Sequence, residues 1–379
     1  MVRKDRAPLL RGMTWDHPRG HGPLVACSAA WRERTGVRIE WERRSLQDFE
    51  SFPVHELAAR YDLIVIDHPH VGQVTGEGCL APLDGGLAPG DPAYQAVGAS
   101  LSSYRWGGRL WALPIDAAAQ VLAWRPDRLC GPPADWSAVL ELAAGGAVRC
   151  PLRPPHNLMA LFTLSGLAGH PPGTHAGELF EPAAGCEAYA RLRELAARIG
   201  PRCSEQDPIA VLEQMAAPDS RAACAPLIYG YVSYSRPDAR GARVAFADLA
   251  PLARGGSCAG SALGGTGIAV SAQCTERAAA IAFARWVAGA EAQCGPYLAG
   301  GGQPAHGAAW DDARANAVSL DFLRTTRATL EGAWVRPRHA GYMTFQGAAA
   351  ERLTQALAAH EPGGAVIAAL NRLYLEVTP

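Results

Sequence analysis

The chain has 379 residues, of which 49% are apolar and 19% charged, with a formal net charge of −1. That length suits two cores better than one, and the composition excludes a disordered chain. Without a basic excess there is no footprint for nucleic acid, and with Lys4 as the only lysine neither pyridoxal-phosphate Schiff-base chemistry nor a Walker-type phosphate loop is available.

At the N-terminus Arg3, Lys4 and Arg6 are followed only by Pro8, Leu9 and Leu10 before Arg11. That is too short for the apolar stretch of a secretory signal. As written, the chain is expected in the cytoplasm, or in the periplasm if a leader was removed. No apolar run approaches the ~20 residues of a membrane span.

Leu9 to Trp15 reads as a short strand, and Asp16 to Pro23 as a Gly/Pro-rich loop. Leu24 to Arg34 carries Leu24, Cys27 and Trp31 at helical spacing and ends at Gly36. Val37, Ile39 and Trp41 alternate in a half-buried strand, and Phe52 to Arg60 is helix-like. Tyr61 to Ile66 is a continuous apolar strand of the kind found inside parallel sheets. Alternating strands and helices predict an α/β sheet with ligands beyond the carboxyl ends of its strands. Two of those ends carry the same tripeptide, Asp16-His17-Pro18 and Asp67-His68-Pro69, which points to a shared site rather than to two helix starts.

Gly107-Gly108 marks a hairpin turn, with Trp106 and Trp111 read as packing residues. Gln120 to Arg125 is a strand, and 131–220 is helical and loop-rich, with its clearest amphipathic helix over Tyr189 to Ile199. Ala222 to Tyr229 is a small-residue strand leading into Gly230 and Tyr231. If it continues, Tyr229 and Tyr231 share a face. Leu263 to Val270 is a glycine-rich strand, Thr275 to Ala290 an amphipathic helix, and Arg336 to His339 a solvated loop. The ten cysteines stand without any Cys-x-x-Cys, which excludes a zinc ribbon and reads as mostly reduced core thiols.

The order of these pieces resembles the family 1 extracellular solute-binding proteins, the maltose-binding-like receptors of ABC importers. Three segments carry the resemblance: Tyr104 to Pro114, Leu263 to Ser271 with Glu291-Ala292-Gln293 beyond it, and Tyr229-Gly230-Tyr231. It implies a type II periplasmic-binding-protein fold, α/β and two-lobed, with hinge-crossing strands. Lobe one is expected over 1–115 and 265–310, and lobe two over 116–264 and 311–379. The function implied is capture of a small polar ligand in an interlobe cleft by hinge closure, for an ABC-type importer or as a cytoplasmic buffer or sensor.

A binding cleft needs polar groups to orient the ligand and aromatic faces to cover it. The expected contacts are Trp15, Asp16, His17, Arg19, Asp67, His68, His70, Asp116, Gln120, Tyr229, Tyr231, Gly265, Thr266, Gln303 and His306. The mixture of acids, imidazoles and Arg19 leaves a sugar, an amine and a carboxylate open as ligand classes. The alternative is a metal-binding protein or metalloenzyme built on Asp16, His17, His21, Asp67, His68 and His70. No Gly-x-Ser-x-Gly elbow or dinucleotide fingerprint is present, so no catalytic residue and no cofactor is expected. The chain is expected to act as a monomer, with a membrane transporter component as its protein partner.

Overall fold

The computed structural model describes residues 8–45, 54–85, 95–173 and 178–378. Arg3, Lys4, Arg6, Phe52 and Pro53 lie outside the described residues. The strands are β1 (Leu9–Trp15), β2 (Arg38–Arg44), β3 (Leu63–Asp67), β4 (Leu80–Ala81), β5 (Arg105–Trp106), β6 (Arg109–Leu110), β7 (Leu113–Trp124), β8 (Cys224–Tyr229), β9 (Ala245–Ala247) and β10 (Leu263–Ser271). The chain divides into two compact units, Met1–Ala117 with Gly265–Ala315 and Ala118–Gly264 with Asn316–Pro379. It passes from one unit to the other within β7, within β10, and after Ala315.

The first unit is built on the sheet order β2-β1-β3-β10, with β4 against the far end of β10. Leu63, Ile64, Val65 and Ile66 are each at most 2% exposed, as a strand covered on both faces requires. The sheet is mixed rather than parallel: β1 runs parallel to β2 and β3, and β10 returns antiparallel to β3. Trp31, Phe283 and Trp286 form an aromatic cluster at its helical face, with Trp31 and Trp286 centroids 5.2 Å apart. Gly107 and Gly108 both take positive φ and turn β5 into β6, the geometry of a two-residue hairpin.

One predicted loop is helix. The helix following β1 starts at Pro18, not at Leu24, and runs to Thr35. Pro18 at the first helical position is pre-set for that conformation, and His17 rather than Asp16 caps it, its Nδ1 accepting from the Arg19 N–H at 3.1 Å. Pro23 is accommodated inside the helix, so the Gly/Pro content of 16–23 does not make a loop.

The second unit has its own core. β7 pairs antiparallel with β8 and with β9, and the helices His156–Leu167, Pro182–Ile199, Tyr342–Ala358 and Gly363–Leu375 supply most of its apolar contacts. The helix His156–Leu167 is buried all round, apart from its last residue. That explains its lack of an amphipathic stripe in the sequence.

Candidate functional site

In the first unit the two Asp-His-Pro tips end neighbouring parallel strands, β1 and β3, with Met13 opposite Ile64. Their side chains part company. Asp16 turns outward to Arg43 at 3.1 Å, both more than half exposed. His17 is spent on capping, and burial followed by the Arg19 charge holds its imidazole down to about 4, against a smaller opposing pull from Asp16.

At the other tip the arrangement is compact. His68 is fully buried, with its ring edge-on to Tyr104 at 6.3 Å. The Tyr104 hydroxyl donates to the Ile66 carbonyl at 3.1 Å and approaches that of Gly265 at 3.4 Å. Tyr104 reaches this position because residue 267 is glycine: a Cβ there would lie 2.7 Å from the ring. Gly267→Ala is therefore expected to displace Tyr104 and cost about 1–3 kcal/mol, read as a lowered melting temperature. Thr266 stands opposite Asp67 across the sheet, and its buried hydroxyl has no hydrogen-bond partner among the described residues. His70, 6% exposed, closes the short helical turn His68–His70.

A second polar group in this unit is structural in character. Arg19 and Asp116, both buried, meet in a two-pronged ion pair whose Nε–Oδ2 distance is 2.8 Å. Burial pushes the Asp116 carboxyl up, and the guanidinium beside it opposes that push. Arg19 and Asp116, both expected as ligand groups, neutralise each other here. The Gln303 amide donates to the Ala117 carbonyl at 2.7 Å, and His306 caps the helical turn Gly307–Trp310 through Nδ1 at 3.2 Å. Trp15, 4% exposed, lies against Gly20.

The second unit carries its own buried polar cluster, only part of which is legible in the sequence. Gln120, fully buried on β7, donates to the Leu227 carbonyl at 3.5 Å, while its Oε1 has no partner among the described residues. Tyr229 ends β8 with its ring edge against His156 at 6.3 Å. It fits because Gly264 has no side chain, where a Cβ would come within 2.6 Å. β8 stops at Tyr229, and Tyr231 beyond it leads into a short helical turn and packs on Tyr234 at 6.4 Å.

Three residues of this cluster escaped the sequence reading. His156 is 5% exposed, and burial pushes its imidazole down to about 4. Tyr342 is fully buried on the helix Tyr342–Ala358. Arg336 belongs to the segment read as a solvated loop, yet it is 7% exposed and donates to the Leu263 carbonyl at 3.2 Å and to Gln346 at 3.0 Å. Its neighbour His339 packs edge-on to Tyr342 and Tyr374. A lone histidine after Pro154-Pro155 and an arginine before Pro337 carry no local signal. Their burial is decided by residues far away in the chain.

Among the described residues no group of three or more His, Cys, Asp or Glu side chains is arranged to hold a metal ion. The metal-binding alternative finds no support among the described residues: Asp16 is paired with Arg43, His17 caps a helix, and His68 packs on Tyr104.

The architecture is that of the periplasmic-binding-protein-like α/β fold of solute-binding proteins. It is similar to the maltose-bound MalE3 of T. maritima (TM-score 0.81, 16% identity, covering 98% of this chain and 99% of that one). It is likewise similar to an ABC transporter solute-binding protein of Thermotoga lettingae bound with α-D-tagatose (0.82, 15%, 98% and 100%). A third likeness is to one of Agrobacterium radiobacter in complex with ribitol (0.77, 18%, 98% and 99%). The model of the bacterial extracellular solute-binding proteins matches residues 28–305. The chain belongs to that family, and is a solute-binding protein. Among its described residues no helix is long and apolar enough to cross a membrane.

Proposed function

We propose that the chain captures a small neutral polyhydroxyl solute, a sugar or polyol, outside the cytoplasm and presents it to the membrane component of an ABC-type importer. Its carboxylates are largely engaged elsewhere: Asp16 faces Arg43 and Asp116 is neutralised by Arg19. What remains is rich in uncharged donors and acceptors, which suit hydroxyl groups better than a net charge. In the first unit the residues proposed to bind the solute are Asp67, His68, His70 and Thr266; in the second, Gln120 and Tyr229 belong to a separate buried polar cluster. His156 joins them. The solutes named for the relatives, maltose, tagatose and ribitol, agree with this class. Membership of an extracellular family supports the location and the importer partner.

The observation that carries the reading is the Thr266 hydroxyl, buried opposite Asp67 with no partner among the described residues. Such a group costs about 1–3 kcal/mol unless a ligand or water satisfies it. Thr266→Val keeps the shape and removes the hydroxyl. In calorimetric titrations with maltose, tagatose and ribitol, whichever solute binds the wild type is expected to bind this variant at least about tenfold more weakly. The ligand-free melting temperature should hold or rise. Undiminished affinity would remove Thr266 from the site.

A further inference from the structure

Three cysteines come together inside the second unit, and nothing in the candidate site uses them. Cys150 and Cys224 are fully buried, and Cys203 is 1% exposed. The stretch 148–152 is bonded to both of the others. Val148 forms a parallel bridge with Cys224, and the Arg149 N–H donates to the Cys224 carbonyl at 2.9 Å. On its other side the Leu152 N–H donates to the Cys203 carbonyl at 2.9 Å. Burial pushes the Cys203 thiol up, and the nearby Cys150 N–H opposes that push. The Cys150 thiol itself has only a long contact, 3.9 Å, with the Leu227 carbonyl.

The Leu152–Cys203 hydrogen bond holds these two segments in contact, and a disulfide needs Cα atoms about 4.4–6.8 Å apart. Cys224 is held in β8 opposite Trp124, so its backbone is fixed by the sheet. Cys203 instead lies on the short helical turn Pro201–Glu205, whose other members Pro201, Arg202, Ser204 and Glu205 are exposed. A small opening of that turn brings its sulfur to the surface.

We propose that Cys150 and Cys203 are a disulfide site, closed when the protein matures in an oxidising medium. The extracellular family supplies the compartment where such bonds persist. The oxidant is a small-molecule disulfide such as oxidised glutathione. The Cys203 thiolate attacks one of its sulfurs and releases one glutathione thiolate. The Cys150 thiolate then attacks the Cys203 sulfur of the mixed disulfide and expels the second. Two cysteine thiols are oxidised, one external disulfide is reduced, and the two protons pass to the departing thiolates. Burial pushes the Cys150 and Cys203 thiols up, so the closed native core reacts slowly. The bond therefore forms before the core closes or during local opening of the turn. Once made, it encloses the helices His156–Leu167 and Pro182–Ile199.

The test is to reduce and unfold the whole chain, refold it in a glutathione redox buffer, alkylate remaining thiols under denaturant, and map linked peptides without reduction. The expected result is alkylation of eight of the ten cysteines, with a linked peptide pair containing Cys150 and Cys203. The oxidised protein should melt about 5–10 °C above the reduced one. Cys224→Ser should retain the link and Cys203→Ser should abolish it. Ten alkylated thiols after refolding, or a bond joining Cys150 to Cys224 or to any other cysteine, overturns the proposal. The mapping is read on the wild-type chain, so it holds even if a variant fails to fold.

Discussion

Replacing Arg19 by leucine is expected to destabilise the first unit by about 3–5 kcal/mol, because it leaves the Asp116 carboxylate buried and unpaired. Asp116 has a fully buried side chain and Arg19 one that is 5% exposed, so little water is present to compensate. Asp116→Leu alone should cost about as much, through the orphaned guanidinium. The double variant Arg19→Leu/Asp116→Leu should recover most of that loss, since two apolar side chains need no partner. Urea unfolding of the four proteins measures the cycle. If the double variant is as unstable as the sum of the singles, the two residues act separately and the ion pair is not what holds this corner together.

The second large effect concerns pH. His156 is neutral in the fold, with burial holding its imidazole down to about 4 from an ordinary 6.5. The Arg336 and Arg153 charges push the same way, and Asp207 opposes them. Between these values the unfolded chain takes up a proton that the folded chain refuses, so stability rises with pH. The contribution is fully present above about pH 6.5 and is lost as pH falls through about 4, a change of about 3 kcal/mol. His17 behaves alike in the first unit, so the informative quantity is a difference. His156→Gln should flatten the stability profile over this window relative to the wild type, as measured by thermal melting at fixed ionic strength. Parallel profiles would mean that His156 is protonated in the folded protein.

How much of this is legible in the sequence depends on the range of the physics involved. β3 announces itself because a strand covered on both faces must be apolar throughout, and Leu63 to Ile66 is so. The Gly107-Gly108 hairpin and the glycine-rich β10 are local signals and read correctly. The start of the first helix does not, because proline favours both loops and first helical turns, and only the His17 cap decides between them.

The site is less legible, and the reason is pairing over distance. Asp116 reads as a ligand group until Arg19, 97 positions earlier, is seen to bind it. Arg336 reads as solvated until the Leu263 carbonyl, 73 positions earlier, accepts from it. Tyr104 and Tyr229 owe their places to Gly267 and Gly264, neither of which is near them in the chain. His68 stands out in the sequence as a candidate because it follows a strand tip, whereas the buried Thr266 hydroxyl opposite Asp67 emerges only from the pairing of β3 with β10.

The most direct measurement is a melting-shift screen of the purified chain against sugars, polyols, amino acids, polyamines, carboxylates and divalent metals. A ligand present at a hundred times its dissociation constant stabilises by about 2.7 kcal/mol, a shift of several degrees. The predicted result is a clear rise with one or more sugars or polyols and none with metals or amines. A rise confined to charged solutes or to a metal ion would contradict a neutral polyhydroxyl ligand and the roles proposed for Thr266 and His68.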